Sequence, residues 1–206
     1  LHPQHRRQRH MCIRDRSGTD YPQVPTGVHK ARCVRVIDLG TQRQDYQGDI
    51  SWKRQVLLIW EVPEYMNENK EPLTLSKFYN LSLHEKSNLA KDLTSWRGKA
   101  FTQTERDGFD ITKLLSQPCM LNVIEGNNGR PKISNVMKMK EGDSIIDQCG
   151  NSLIFNIDEY QKGKTEVFNQ LSEGIRNIIL KSQELQHQDI NDIGTSDMNS
   201  DDQVPF

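Results

Sequence analysis

Alternation of apolar and polar positions dominates the first half of the chain. Val28 to Leu39 places His29, Ala31, Cys33, Arg35, Ile37 and Leu39 on one side and Val28, Lys30, Arg32, Val34, Val36 and Asp38 on the other, the period of a β-strand. Gly40 to Ser51 is polar and predicts a loop. Trp52 to Val62 alternates again, and its centre, Val56-Leu57-Leu58-Ile59-Trp60, is apolar on both faces, which predicts a central strand. Pro63 to Pro72 reads as a loop and Leu73 to Leu81 as a third strand. The period then changes to that of a helix. Ser82-Leu83-His84-Glu85 fits a capping box, Leu89, Leu93 and Trp96 share one helical face, and Gly98 is a stop. A short helical stretch, Asp110 to Leu115, leads to Pro118. Cys119 to Glu125 and Pro131 to Lys140 are strands joined by Gly126-Asn127-Asn128-Gly129-Arg130, a hairpin connection.

Three strands, a helix and two strands is the order of a five-stranded Greek-key barrel of the OB type, with its helix between strands three and four. The expected fold is therefore mainly β: an OB-fold-like domain over residues 17–160. Residues 145–160 carry no clear pattern. Glu166 to Leu185 reads as one amphipathic helix with Phe168, Leu171, Ile175, Ile178 and Ile179 in its stripe, docked on the barrel or on a second copy of the chain. The expected segments are completed by this helix over 161–186 and a disordered acidic tail over 187–206.

Composition sharpens this division. Of 206 residues, 34% are hydrophobic and 27% charged, with a mean hydropathy of -0.77, which suits one compact core with polar ends. The longest apolar run is the one at Val56, far short of the roughly 20 residues a membrane span needs. No membrane association is expected, and no pattern of a secretory leader is present. Cys12, Cys33, Cys119 and Cys149 are scattered, which suggests neither a zinc site nor a disulfide framework and favours a reducing compartment.

The formal net charge of -1 is unevenly spread: residues 1–16 carry +4, residues 183–206 carry -6, and the body between them +1. Met11-Cys12-Ile13-Arg14-Asp15-Arg16 is similar to translated adaptor sequence, so residues 1–16 are expected to be non-native or disordered; a basic arm on phosphates is the other reading.

Catalysis finds little support. There is no phosphate-cradling Gly-x-x-x-x-Gly-Lys, no H-E-x-x-H and no G-x-S-x-G. His29 reads as a surface residue, His84 as part of a helix start, and His187 lies in the tail. No catalytic residue, metal site or cofactor is expected, and the protein is read as a non-enzyme. Nucleic-acid binding is the more coherent chemistry, because aromatic rings stack on bases while cations follow phosphates. On the OB scheme the first loop and its flank offer Arg43, Tyr46, Trp52, Lys53 and Arg54, strand three offers Lys77 and Tyr79, and the last hairpin offers Arg130 and Lys132. Phe78 and Tyr79 point to opposite faces, so at most one faces a groove. Trp60 and Trp96 read as core.

The chain closes with Asp201-Asp202-Gln203-Val204-Pro205-Phe206. This is similar to the acidic tip of bacterial single-stranded-DNA-binding proteins, Asp-Asp-Asp-Ile-Pro-Phe. Gln203 in place of Asp removes one charge. The resemblance implies a protein that coats single-stranded DNA in replication, recombination or repair and recruits partner enzymes through Asp201, Asp202, Val204, Pro205 and Phe206. A stiffened apolar anchor with its own carboxylate, led in by acidic residues, suits a basic-rimmed pocket. Such a tail is also expected to compete with DNA for the protein's own basic groove. Phe78-Tyr79-Asn80-Leu81-Ser82-Leu83-His84-Glu85-Lys86-Ser87-Asn88-Leu89, with Trp96-Arg97-Gly98, resembles a family of phage-encoded proteins of OB type over residues 24–140. That resemblance implies a viral origin and the cytoplasm of a bacterial host. A homo-oligomer is compatible with all of this. The alternatives are a replication accessory module whose barrel docks protein, and a DNA-processing enzyme.

Overall fold

The computed structural model describes residues 22–143 and 152–186. It is mainly β, built on one six-stranded sheet that is antiparallel except for its last strand. The strands are β1 (Gly27–Tyr46), β2 (Asp49–Met66), β3 (Pro72–Asn80), β4 (Pro118–Glu125), β5 (Pro131–Met137) and β6 (Leu153–Phe155). The hydrogen-bonded order is β3-β2-β1-β4-β5, with β6 added in parallel to β1. The helices are α1 (Asn88–Arg97), α2 (Gln103–Asp107), α3 (Ile157–Gln161), α4 (Glu166–Asn169), α5 (Glu173–Leu180) and α6 (Gln183–Gln186), with a 3-10 turn at Ile111–Leu114. None of these helices is long and apolar enough to cross a membrane.

β1 organises the sheet because it serves several neighbours in turn. Its first residues, Gly27 to Arg32, pair with β4; from Arg32 onward it pairs with β2, while Arg35 to Ile37 also take β6 on the edge that β4 has left. Register shifts at Cys33/Arg35 and Asp38/Gly40 bend the strand between these partners. Gly40 permits the second bend. Its φ of 71° is left-handed, and a Cβ there would lie 2.7 Å from both Ile157 Cδ1 and Ser182 Cβ.

The sheet is apolar on both faces, as the centre of β2 predicts. One face packs Trp60, Leu58, Val56, Cys33 and Leu121 against Leu89, Leu93 and Trp96 of α1. The Trp96 indole donates to the Pro118 carbonyl at 2.8 Å, fixing the end of α1 to the start of β4. The other face carries Val34, Ile37, Leu39, Leu57 and Ile59 and is covered by Phe155, Ile157, Phe168, Leu171 and Ile179 from the C-terminal segment. Fully burying a side chain of this size contributes about 1.5–3 kcal/mol, so the C-terminal segment is part of the fold.

Several expectations are corrected. The polar stretch from Gly40 to Ser51 is not a loop: β1 and β2 continue through it as a hairpin arm, turning at Gln47 and Gly48, which both have positive φ. Helix α1 starts at Ser87, whose hydroxyl accepts from the Ala90 amide, and not at Ser82. The true capping box is Thr102 with Glu105. His29 is buried rather than on the surface, its Nε2 lying 2.9 Å from the Pro25 carbonyl. The single helix expected over Glu166 to Leu185 is three short ones, although Phe168, Leu171 and Ile179 do dock on the sheet. The expectations for residues 1–16 and 187–206 lie outside the described residues.

Glu184 of α6 locks the C-terminal segment onto β1, accepting from the Thr41 hydroxyl and amide, each at 2.7 Å. Burial alone would push this carboxyl up. The two Thr41 donors, its own backbone amide and the Arg54 charge outweigh that, leaving it below its ordinary value of 4.5. A group with a lowered folded value contributes fully above its unfolded value, and the contribution is lost as pH falls through the folded one. Glu184→Gln is therefore expected to lower stability by about 1 kcal/mol at pH 7, a charge-assisted contact discounted for partial exposure. The difference from the parent should shrink as pH falls below 4.5, which urea midpoints at pH 7 and about pH 3 would check.

Candidate nucleic-acid interface

The arm formed by the ends of β1 and β2 presents large apolar side chains to solvent: Tyr46 is 72% exposed, Ile50 55% and Trp52 45%. Cations stand among them. Arg43 lies opposite Trp52 in the register and is held 3.4 Å from Asp45, while Lys53 lies opposite Gln42 and has no ion-pair partner among the described residues. Strand alternation places Arg43, Ile50 and Trp52 on one face of the arm and Gln44, Tyr46 and Lys53 on the other. The residues expected here are thus divided between two faces, Arg43 and Trp52 on one and Tyr46 and Lys53 on the other.

Arg54, at the root of the arm, is already engaged. Its guanidinium binds Asp38 at 2.5 and 3.3 Å and lies 3.6 Å from Asp158. The hydrogen bond to Asp38 holds the guanidinium well above its ordinary value against the opposing effect of burial. Arg54 therefore orders the root of the arm and is not free to follow a phosphate.

On β3 the structure divides the expected residues by parity. Tyr79 lies opposite Val56 and is buried in the core cluster, its hydroxyl donating to Asp92 at 2.7 Å. Burial and the Asp92 charge push its phenol far up. It cannot stack on a base. Phe78, opposite Leu57, is turned outward and 52% exposed. Lys77 is likewise consumed, donating to Asp92 at 2.6 Å and to the Ser134 carbonyl at 3.2 Å. Arg130 and Lys132 stand exposed at the β4–β5 hairpin, and their side chains make no ion pair among the described residues. They belong to the far end of β1 from the arm, since Gly27 pairs with Val123 while Tyr46 pairs with Asp49.

The arm offers exposed aromatic rings beside cations. Cys33 and Cys119 are free and buried, and burial pushes the Cys33 thiol up to about 12, so neither is a nucleophile at neutral pH. Among the described residues no group of three His, Cys, Asp or Glu is placed to hold a metal ion. Asp201, Asp202, Val204, Pro205 and Phe206 lie outside the described residues. No protein-family model, curated protein or solved structure matches this chain.

Proposed function

We propose that the protein binds single-stranded DNA without strong sequence dependence, using the β1–β2 arm and the adjoining edge of β3, and recruits replication, recombination or repair enzymes through its acidic C-terminal tip. The observation that carries this reading is the arm, where Tyr46, Ile50 and Trp52 are exposed beside Arg43 and Lys53. Exposed rings with flanking cations hold a strand by stacking and by phosphate contact, and an aromatic ring accepts any base. An OB-like barrel is the architecture we infer. The strand order, the helix between β3 and β4, and the approach of β3 to β5 through Lys77 and Ser134 all support it. The resemblance of the last six residues to bacterial single-stranded-DNA-binding proteins supports the recruiting role, and the phage-family resemblance supports action inside a bacterial host. The protein acts as a binder and not as an enzyme in this reading.

One observation favours a protein-docking module instead: the C-terminal segment covers Leu57 and Ile59, the centre of β2's outward face. Titration of a labelled oligo-dT by fluorescence anisotropy separates the two. Strand binding predicts an affinity that falls with salt, with a logarithmic slope of about -0.7 per phosphate contacted, and resistance to duplex competitor. Salt-independent binding or none would move the assignment to protein docking.

A further inference from the structure

A cleft of about 410 Å³ opens between the base of the arm and the start of α1. Its walls include Phe78, Asn80, Gln44, Gln55 and Lys86, and no acidic residue lines it. Both glutamines donate from Nε2 to the same acceptor, Asn80 Oδ1, at 2.9 and 3.2 Å. This shared bond orients three side-chain amides at once. It leaves Asn80 Nδ2 and both glutamine Oε1 atoms without a hydrogen bond among the described residues, a donor flanked by acceptors on a fixed frame. Phe78, two residues before Asn80 on the same face of β3, supplies an exposed ring beside them. Lys86 has no ion-pair partner among the described residues and immediately precedes the Ser87 cap of α1, whose first turn carries no acidic residue.

We propose that this cleft binds one unpaired nucleobase of the strand, stacked on Phe78, with its polar edge paired to the Asn80, Gln44 and Gln55 amides and its phosphate held by Lys86 at the start of α1. The proposal rests on the strand-binding reading above and goes beyond it: one position along the bound strand is read by hydrogen bonds while the rest is held by stacking and phosphate contact. Every base edge carries both donors and acceptors, and a pre-oriented amide set ranks them by fit. The amides are held by protein bonds before any ligand arrives, so little ordering is left for binding to offset. Tyr46 and Lys53 share this face of the hairpin, and continue the same track toward the arm's tip.

The test uses the full chain and anisotropy with labelled dT, dC and dA homopolymers of equal length. The parent should rank them by several-fold. Phe78→Ala should lose at least about 5-fold on all of them with the salt slope unchanged, whereas Phe78→Trp should keep the affinity. Asn80→Leu should flatten the ranking, and Lys86→Ala should reduce the salt slope by about one phosphate's share. Phe78 is exposed, so its truncation opens no core, and thermal melting of each variant checks that the fold is kept. If the parent binds DNA while Phe78→Ala and Asn80→Leu bind and rank the homopolymers as it does, the cleft is not a base site and the strand-binding reading stands without it. If the parent binds no homopolymer, both fall.

Discussion

Asp92→Ala is expected to destabilise the protein by about 3–5 kcal/mol, the cost of breaking a buried ion pair by removing one partner. Asp92 is 7% exposed and sits on α1. It accepts from the Lys77 ammonium at 2.6 Å and the Tyr79 hydroxyl at 2.7 Å, and Lys77 donates onward to the Ser134 carbonyl of β5. The carboxylate therefore ties α1 to β3, and through Lys77 β3 to β5, two strands that no backbone ladder joins among the described residues. Alanine would leave the ammonium without a counter-charge and a phenol hydroxyl buried without its acceptor. Urea unfolding should show the loss directly. Asp92→Leu combined with Lys77→Met removes both charges and should recover most of it, because an apolar pair of similar volume avoids the desolvation cost. A loss under about 1 kcal/mol for Asp92→Ala would mean that water solvates the site and that the flank is held by apolar packing alone.

Parity and long-range partners explain what the sequence could and could not show. Alternation located β1 and β2, the Gly126 to Arg130 connection marked β4 and β5, and the helical spacing of Leu89, Leu93 and Trp96 located α1, because burial on one face imposes a period. The arm was missed because Thr41 to Ser51 buries almost nothing; it is ordered by cross-strand pairing and by the Gln47-Gly48 turn, neither of which leaves an apolar signal. Period two also leaves open which face is inward. Phe78 and Tyr79 are adjacent aromatics, and only the pairing of Tyr79 with Val56 turns Tyr79 into the core and Phe78 into solvent. The charges of Arg54 and Lys77 looked available because their partners, Asp38 and Asp92, are remote in sequence. The Ser82 motif failed since Ser87, five residues on, caps the helix instead and itself donates to the Ser82 carbonyl. The amide set of Gln44, Gln55 and Asn80 carries no sequence signal at all: three polar residues from three strands become a site only through the register.

Replacing both Tyr46 and Trp52 with alanine is expected to weaken binding of single-stranded DNA by roughly 100-fold or more, since each ring stacked on a base contributes about 1–3 kcal/mol and each 1.4 kcal/mol is about tenfold. Tyr46 is largely exposed and Trp52 about half exposed, and neither ring contacts another ring among the described residues, so melting temperature should hardly move. The salt slope should also persist, because Arg43 and Lys53 remain to follow the phosphates. The single variants then assign the path. Tyr46 shares its face with Lys53 and Gln44, the face continuous with Phe78 and Asn80, whereas Trp52 shares the opposite one with Arg43 and Ile50. A loss concentrated in Tyr46→Ala would keep the strand on the first face, running from the arm into the cleft. A loss divided between the two would require the strand to pass around the arm, with bases on both sides of a hairpin only two strands wide. A double variant that binds within about threefold of the parent would remove the arm as the stacking platform, and its exposed aromatics would then be the surface on which another protein docks.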